Sequence, residues 1–557
     1  MKPLRQPDDV MRLERLGAAH QTRLSFLRVL LRGLRRGGWR VGRPIWQIDA
    51  HGVGHAVYRI RRQGQCYSLV AFAHDLPDSL RSDRVIAEAW DTTFALVDGD
   101  VHGDDLERLA GNVPLQEAGR VSDRELVLSR ANRSVRLWDH VVGRLAQGAQ
   151  PDAAEIDRVG YLMRTTAVYG SGKFGAADRA RLAGRPLLDG PFRAEMLTVW
   201  LIRTFVLDLV EHLARAKGGR AAAKLAPALR RNLGIGNSTG LGMAPFLVNH
   251  PLLLNAWILA RETAFARVRG LPVAGPESQA AFVAALRYSA ARLASWHTDD
   301  AGQSVKLAAL GQDIGRLSDT VQTGALDRPE PWDALWTWAK TALSVEGQEL
   351  AVTLMLEPHG SIVDDLSDTM GADETAAFRI DGSMPVSDLA DLLQRNYGWA
   401  LGTDYVARSA SARFWYVSQT KLEPRLGERH EDPGDALELP LDIARAAAML
   451  AAELQDQTQS GTVAQFLRTN PHHRRIVRRV QMCAAAPYAE IRDNLIGADM
   501  VPIDMLRCKL AFFGATRFDP RSDRWVRITL FQNAPYPDGL HGVSQDTCAL
   551  SEVAEPV

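Results

Sequence analysis

Cysteine is scarce in this 557-residue chain: Cys66, Cys483, Cys508 and Cys548 are widely scattered and form no C-x-x-C pair. That excludes a disulfide scaffold and a zinc ribbon, and it fits a reducing compartment. No window approaches about 18 uncharged apolar residues, so no membrane-spanning helix is expected. The N-terminus lacks the uninterrupted apolar core of a secretory signal. Net charge is missing as well: 66 Lys+Arg balance 66 Asp+Glu, which removes any global pull toward nucleic acid or a membrane surface. No internal repeat recurs at a fixed period, so a solenoid is not expected. These absences together predict a soluble, cytoplasmic protein.

What is present is ordinary in amount and uneven in placement. Apolar content of 46% and charged content of 24% suit a globular chain, and the length suggests two to four domains at roughly 100–200 residues each. Residues 1–44 hold eleven Lys/Arg against Asp8, Asp9 and Glu14, a local balance of 11 − 3 = +8. Within them Leu24, Leu27, Leu30, Leu31 and Leu34 recur at helical spacing, with Arg28, Arg32, Arg35 and Arg36 on other faces, until Gly37-Gly38 ends the pattern. Acidic interruptions favour a helix docked on its own domain over a targeting segment.

Three runs rich in Val, Ile, Tyr and Phe follow, at Pro44–Asp49, Gly54–Arg61 and Gln65–Ala73, and predict a small antiparallel meander. From Asp123 to Gly347 the pattern reads as almost wholly helical. Its clearest element starts near Pro191 and ends at Gly218-Gly219, with apolar residues on more than one face, as a buried central helix requires. Beyond it, Ala351–Leu356 reads as a strand and Gly360–Glu374 as a loop. Helices are expected at Val386–Asn396, Leu441–Gln457, Thr462–Arg468 and Arg474–Cys483. Met505–Thr516 and Trp525–Gln532 read as the arms of a hairpin. The expected fold class is α+β and predominantly helical. Its parts are a basic N-terminal helix (1–38), a small β-rich region (39–118), a helical domain with glycine-rich loops (119–347) and a mixed α/β region (348–557).

Two glycine-rich stretches organise the functional reading. Gly170-Ser171-Gly172-Lys173-Phe174-Gly175 matches G-x-G-x-x-G, but the stretch after it is too short and the acid at the right distance, Glu195, lies in a helix. A P-loop needs Gly at 167 and a hydroxyl after the lysine, where this chain has Ala167 and Phe174. What survives is a lysine among free N–H groups, a setting for an anion. Gly236-Asn237-Ser238-Thr239-Gly240 matches G-x-S-x-G, yet its approach, Leu229-Arg230-Arg231-Asn232, reads as helical, so the strand of a nucleophile elbow is missing. The expectation is a helix–loop–helix turn whose N–H groups and hydroxyls hold an oxyanion.

Other motifs carry weaker signals. Asp98-Gly99-Asp100-Val101-His102-Gly103 lacks the twelfth-position Glu of a calcium loop, where Leu109 stands. His51 and His55 lie in a turn with no Glu between them, against a zinc helix. The mixed-charge segment Lys421–Asp432, with Glu423, Arg425 and Glu428, follows an aromatic run and suits a carboxylate or phosphate. His472-His473-Arg474-Arg475 with Arg478-Arg479 resembles a nucleic-acid contact, but a solvated helix face looks the same. Cys548 has no basic neighbour to lower its pKa.

The leading expectation is an enzyme of unassigned reaction class acting on a small anionic organic molecule. Lys173, Ser238 and Glu423 are its candidate catalytic residues, and Gly170, Ser171, Gly172, Gly236, Asn237, Thr239 and Arg425 its substrate contacts. The rival is a non-catalytic assembly protein that uses its basic helices. No metal, flavin or nucleotide is demanded, the cofactor is unknown, nucleic acid is disfavoured, and monomer or homo-oligomer stays open.

Overall fold

The computed structural model describes residues 1–80, 89–115, 122–169, 182–239, 251–296, 298, 301–370, 378–407, 440–456, 461–492, 507, 510–515, 517–520 and 526–542. The three predicted N-terminal runs are strands: β1 Arg40–Ile48, β2 Gly54–Arg62 and β3 Gln65–Ala73. They do not form a separate small sheet. β4 (Thr92–Asp98), β5 (Glu125–Arg133) and β6 (Tyr161–Tyr169) continue the antiparallel order, each strand beside the one before it. β7 (Gly234–Thr239) then pairs parallel with β6, and β9 (Val526–Leu530) pairs antiparallel with both β7 and β8 (Arg517–Pro520). The result is one nine-stranded mixed sheet in the order β1-β2-β3-β4-β5-β6-β7-β9-β8.

This corrects the expected fold class: one large sheet draws strands from the N-terminal, central and C-terminal parts of the chain. The almost wholly helical reading from Asp123 to Gly347 missed β5, β6 and β7. β5 is buried on both faces along most of its length, so it shows no alternation to distinguish it from a helical segment. Ala351–Leu356 is the end of a helix rather than a strand. Helix α4 (Val345–Leu356) starts at Ser344, whose Oγ accepts from the Gly347 N–H at 3.2 Å. The first arm of the C-terminal hairpin is Arg517–Pro520, whereas residues 510–513 are helical.

Helix α2 (Arg193–Gly218) follows its sequence signals closely, whereas of the basic N-terminal helix expected over 1–38 the long continuous part is α1 (Phe26–Arg36). A parallel strand pair needs a crossover, and α2 supplies it between β6 and β7. α2 packs across β3 to β7 and is buried along most of its length, including Trp200, Phe205 and Leu209. Burying each such side chain contributes roughly 1.5–3 kcal/mol. Trp200 also donates its Nε1–H to the Pro535 carbonyl at 2.9 Å, tying the C-terminal segment to the helix.

The N-terminal segment is docked through charge as well as apolar contact. Arg28, fully buried on α1, is bidentate to Glu357 at 2.8 Å and 2.8 Å. Arg23 meets Asp364 at 2.9 Å and 2.7 Å. Arg5 bridges Glu262 of α3 (Pro251–Arg269) and Glu349 of α4, with contacts of 2.7–2.8 Å. So the basic N-terminal helix turns its central arginines inward, toward carboxylates. Among the described residues no helix is long and apolar enough to cross a membrane.

Candidate functional site

The last four turns of α2 carry Thr204, Asp208, Glu211, His212 and Arg215. Their spacing places them on one stripe of a helix that is otherwise largely buried. The stripe faces β1 and β2 on one side and residues 222–230 on the other, which leaves a cleft of about 600 Å³. A recess of about 320 Å³ adjoins it and shares Arg43, Asp208, Glu211 and Lys224. This volume lies in the range of small-molecule sites, about 300–1,000 Å³.

Asp208 is the hub of one wall. Its Oδ2 accepts from the Tyr58 hydroxyl at 2.5 Å and lies 2.8 Å from Arg43 Nη1. Burial first, and then the Asp208 charge, push the Tyr58 hydroxyl well above its ordinary value, so it stays a donor. Arg43 is also stacked 4.5 Å from the Trp46 ring centre. His212 is held from both ring nitrogens: Trp46 Nε1 lies 3.4 Å from Nδ1, and Nε2 lies 2.8 Å from the Asp49 carbonyl. Because the indole only donates and the carbonyl only accepts, the ring proton belongs on Nε2. His212 is thus a peg between β1 and α2.

Glu211 stands differently. One of its oxygens accepts from the Leu225 N–H at 3.2 Å. Half-burial raises its carboxyl above the ordinary value and the Asp208 charge adds to this, while the Leu225 N–H, Lys224 and Arg230 pull it back only in part. Arg230 closes the mouth, 2.7 Å from Asp538 and 4.2 Å from the Tyr536 ring centre. The lining carries four cations (Arg43, Arg215, Lys224, Arg230) against three carboxyl groups (Asp208, Glu211, Asp538), one of them shifted toward its neutral form. The walls therefore carry one more cation than carboxyl group, and Glu211 is the acid that burial shifts toward its neutral form. Asp208 is already engaged by Arg43 and Tyr58, so the cleft has no set of free carboxylates for a cation.

Of the residues singled out from sequence, Gly236 and Asn237 do not line this cleft. Gly170, Ser171, Gly172, Lys173, Glu423 and Arg425 fall outside the described residues, as do the side chains of Ser238 and Thr239. The Gly236–Thr239 stretch is not a helix–loop–helix turn but most of β7. Ser238 pairs with Arg527 of β9 inside the strand rather than standing at a turn beyond it. Asn237 is half-buried and donates from Nδ2 to Thr165 Oγ1 at 3.3 Å. A Cβ on Gly236 would sit 2.6 Å from the Tyr161 ring, so this glycine serves close packing. Gly236 pairs with Arg164 and Asn237 with Thr165, a register that carries β6 two residues past the end of β7. The cleft lies toward the other end of this pair: Arg203, one residue before its stripe, donates from Nε to the carbonyl of Leu233, which precedes β7.

The basic run after His472 also points partly inward. Arg479 is buried and paired with Glu490, and Arg478 donates to the Phe378 carbonyl at 2.9 Å. In the loop around Asp100, Asp98 is paired with Arg185 and Asp100 with Arg59. Sequence reasoning missed the cleft although a signal was present: five polar residues recur on one stripe of a long, largely buried helix. Comparison with protein-family models, with curated proteins and with solved structures found no match.

Proposed function

We propose that the chain is an enzyme that holds a small anionic organic molecule in the α2 cleft and transfers a proton through Glu211. The observation that carries this is the contrast between two carboxyl groups one helical turn apart. Asp208 is tied to Arg43 and Tyr58, while Glu211 is raised toward the protonated form inside the same cleft. Environments that separate neighbouring acids in this way are how a site assigns acid and charge-holding roles. Lys224 and Arg230 would hold the substrate anion, and the Tyr58 hydroxyl would remain a fixed donor. The assembly-protein reading draws less support, because Arg28, Arg32 and Arg479 are buried among acidic partners.

Two measurements test this. A carbon-detected titration of labelled glutamate carboxyls should show Glu211 titrating above the ordinary 4.5; a value at or below it sinks the acid role. Thermal-shift screening with phosphate, citrate and glucose 6-phosphate should find a stabilising anion whose effect vanishes in Lys224→Ala/Arg230→Ala. An equal shift in that variant sinks the anion site. With a substrate in hand, Glu211→Gln should lower turnover by roughly 10²–10⁴-fold.

A second anion position would lie at the carboxyl ends of the parallel pair β6 and β7. Ligands favour the carboxyl ends of parallel strands. Lys173→Ala and Ser238→Ala variants that fold and bind every probe normally would remove it.

A further inference from the structure

Helix α5 (Val386–Leu401), α6 (Pro440–Asp456), α7 (Val463–Thr469) and α8 (Arg474–Ala485) pack against one another in the C-terminal half. A short turn, Pro471–His473, leads into α8 and brings two consecutive histidines against one carboxylate of α6. His472 Nε2 lies 3.2 Å from Glu453 Oε1, and His473 Nε2 lies 3.0 Å from Glu453 Oε2. The two imidazole centres are 4.1 Å apart, and the three donor atoms all fall within 4.8 Å of one another.

We propose that Glu453, His472 and His473 bind a divalent first-row transition metal, with zinc the best match. Two imidazoles and a carboxylate are the ligand types zinc takes when three protein groups leave a fourth position for water. Zinc–ligand bonds of about 2.0–2.2 Å in a tetrahedron separate donors by about 3.3–3.6 Å, so donors within 4.8 Å of one another would close by up to about 1.3 Å, within reach of rotation of the exposed His472 and half-exposed Glu453 side chains. Calcium and magnesium would prefer an all-oxygen shell.

The state of His473 is the independent observation. Its ring is buried, stacked on Phe466 with 5.8 Å between centres and 15° between planes. Nε2 is shut off from solvent and makes no properly directed hydrogen bond, despite lying beside Glu453. A buried polar atom left in this way keeps an uncompensated desolvation cost unless something occupies its lone pair. An ion between the three donors removes that cost. Phe466 fixes the ring direction, and the half-exposed Glu453 and exposed His472 leave a face open for the ion to enter and for a water ligand. The site would fasten α6 to the turn before α8.

The test uses the full-length chain without a histidine tag, stripped with a chelator and titrated calorimetrically with zinc sulfate. One ion should bind per chain and raise the melting temperature. His472→Ala, exposed and therefore safe for folding, and Glu453→Gln should each weaken binding by at least about tenfold. His51→Ala/His55→Ala should change nothing. Cobalt(II) in place of zinc should give the intense visible bands of a four-coordinate ion, lost in His473→Ala. Absence of uptake, or uptake that survives both His472→Ala and Glu453→Gln, overturns the proposal.

Discussion

Glu262→Ala should lower the stability of the protein by about 3–5 kcal/mol, measured as a fall in the urea midpoint with an unchanged slope. Glu262 is fully buried on α3, and Arg5 grips it with two contacts of 2.8 Å. Arg261 adds a third at 3.1 Å. Arg5 and Arg15 share the second carboxylate, Glu349, at 2.7 Å and 3.1 Å. Three guanidinium groups therefore face two carboxylates in one buried layer. Removing Glu262 leaves three cations around a single acid, which is the costly way to break a buried pair. The layer joins the first fifteen residues to α3 and α4, so the variant should also be cleaved faster by trypsin after Arg5. A loss below about 1 kcal/mol would mean that the layer is solvated in solution.

The same group sets a pH dependence. Burial alone would raise the Glu262 carboxyl, but Arg5 and Arg261 outweigh it and hold the carboxyl below its ordinary 4.5. A depressed acid contributes stability that is present above its unfolded value and is lost as pH falls through the folded one. The wild type should therefore lose stability steeply below about pH 4.5, and Glu262→Gln, which cannot titrate there, should show a shallower acid limb. Equal acid limbs would remove Glu262 from the cause.

Gly234→Ala should be the second large effect, near the upper end of the roughly 1–3 kcal/mol typical of overpacking. An added methyl would stand 2.3 Å from the Leu530 carbonyl oxygen and 2.9 Å from the Gln532 amide nitrogen, both backbone atoms of the neighbouring C-terminal segment. No side-chain rotation relieves such a contact, so β9 would have to move away from β7. Gly236→Ala meets a different obstacle, the buried Tyr161 ring at 2.6 Å. A smaller partner should help there: Gly236→Ala/Tyr161→Leu should recover part of the lost melting temperature, whereas Gly234→Ala/Tyr161→Leu should not. Glycines retained only for a ligand-holding turn would leave the melting temperature unchanged in both single variants.

These two glycines also show why the sheet was hard to read. Gly234-Ile235-Gly236-Asn237-Ser238-Thr239 has few strand-forming residues, and its glycines suggest a loop. The strand conformation is imposed from outside, by β6 on one side and β9 on the other. β9 lies almost three hundred residues downstream, and no local pattern can encode that pairing. The first half of the sheet was legible because β1 to β3 are separated by turns at Ala50–Gly52 and Arg62–Gly64 and pair with sequence neighbours. α2 was legible because Pro191 and Gly218-Gly219 punctuate it and its apolar residues cover several faces.

The cleft divides along the same line. The polar stripe on α2 is a fact of the sequence, visible at Thr204, Asp208, Glu211, His212 and Arg215. Its partners are not: Arg43 and Tyr58 lie about 150 residues earlier, and Asp538 more than 300 later. The histidines of the proposed metal site are adjacent in the chain, yet their carboxylate is 19 residues away on another helix. The sequence by itself determined the helices with clear caps, the N-terminal meander, the inward docking of a basic first helix and the absence of a long apolar span. Tertiary structure alone decided that one sheet gathers strands from both ends of the chain. It also decided which carboxyls are tied to arginines and which is left to titrate, because those properties depend on burial and on charges brought close only by packing.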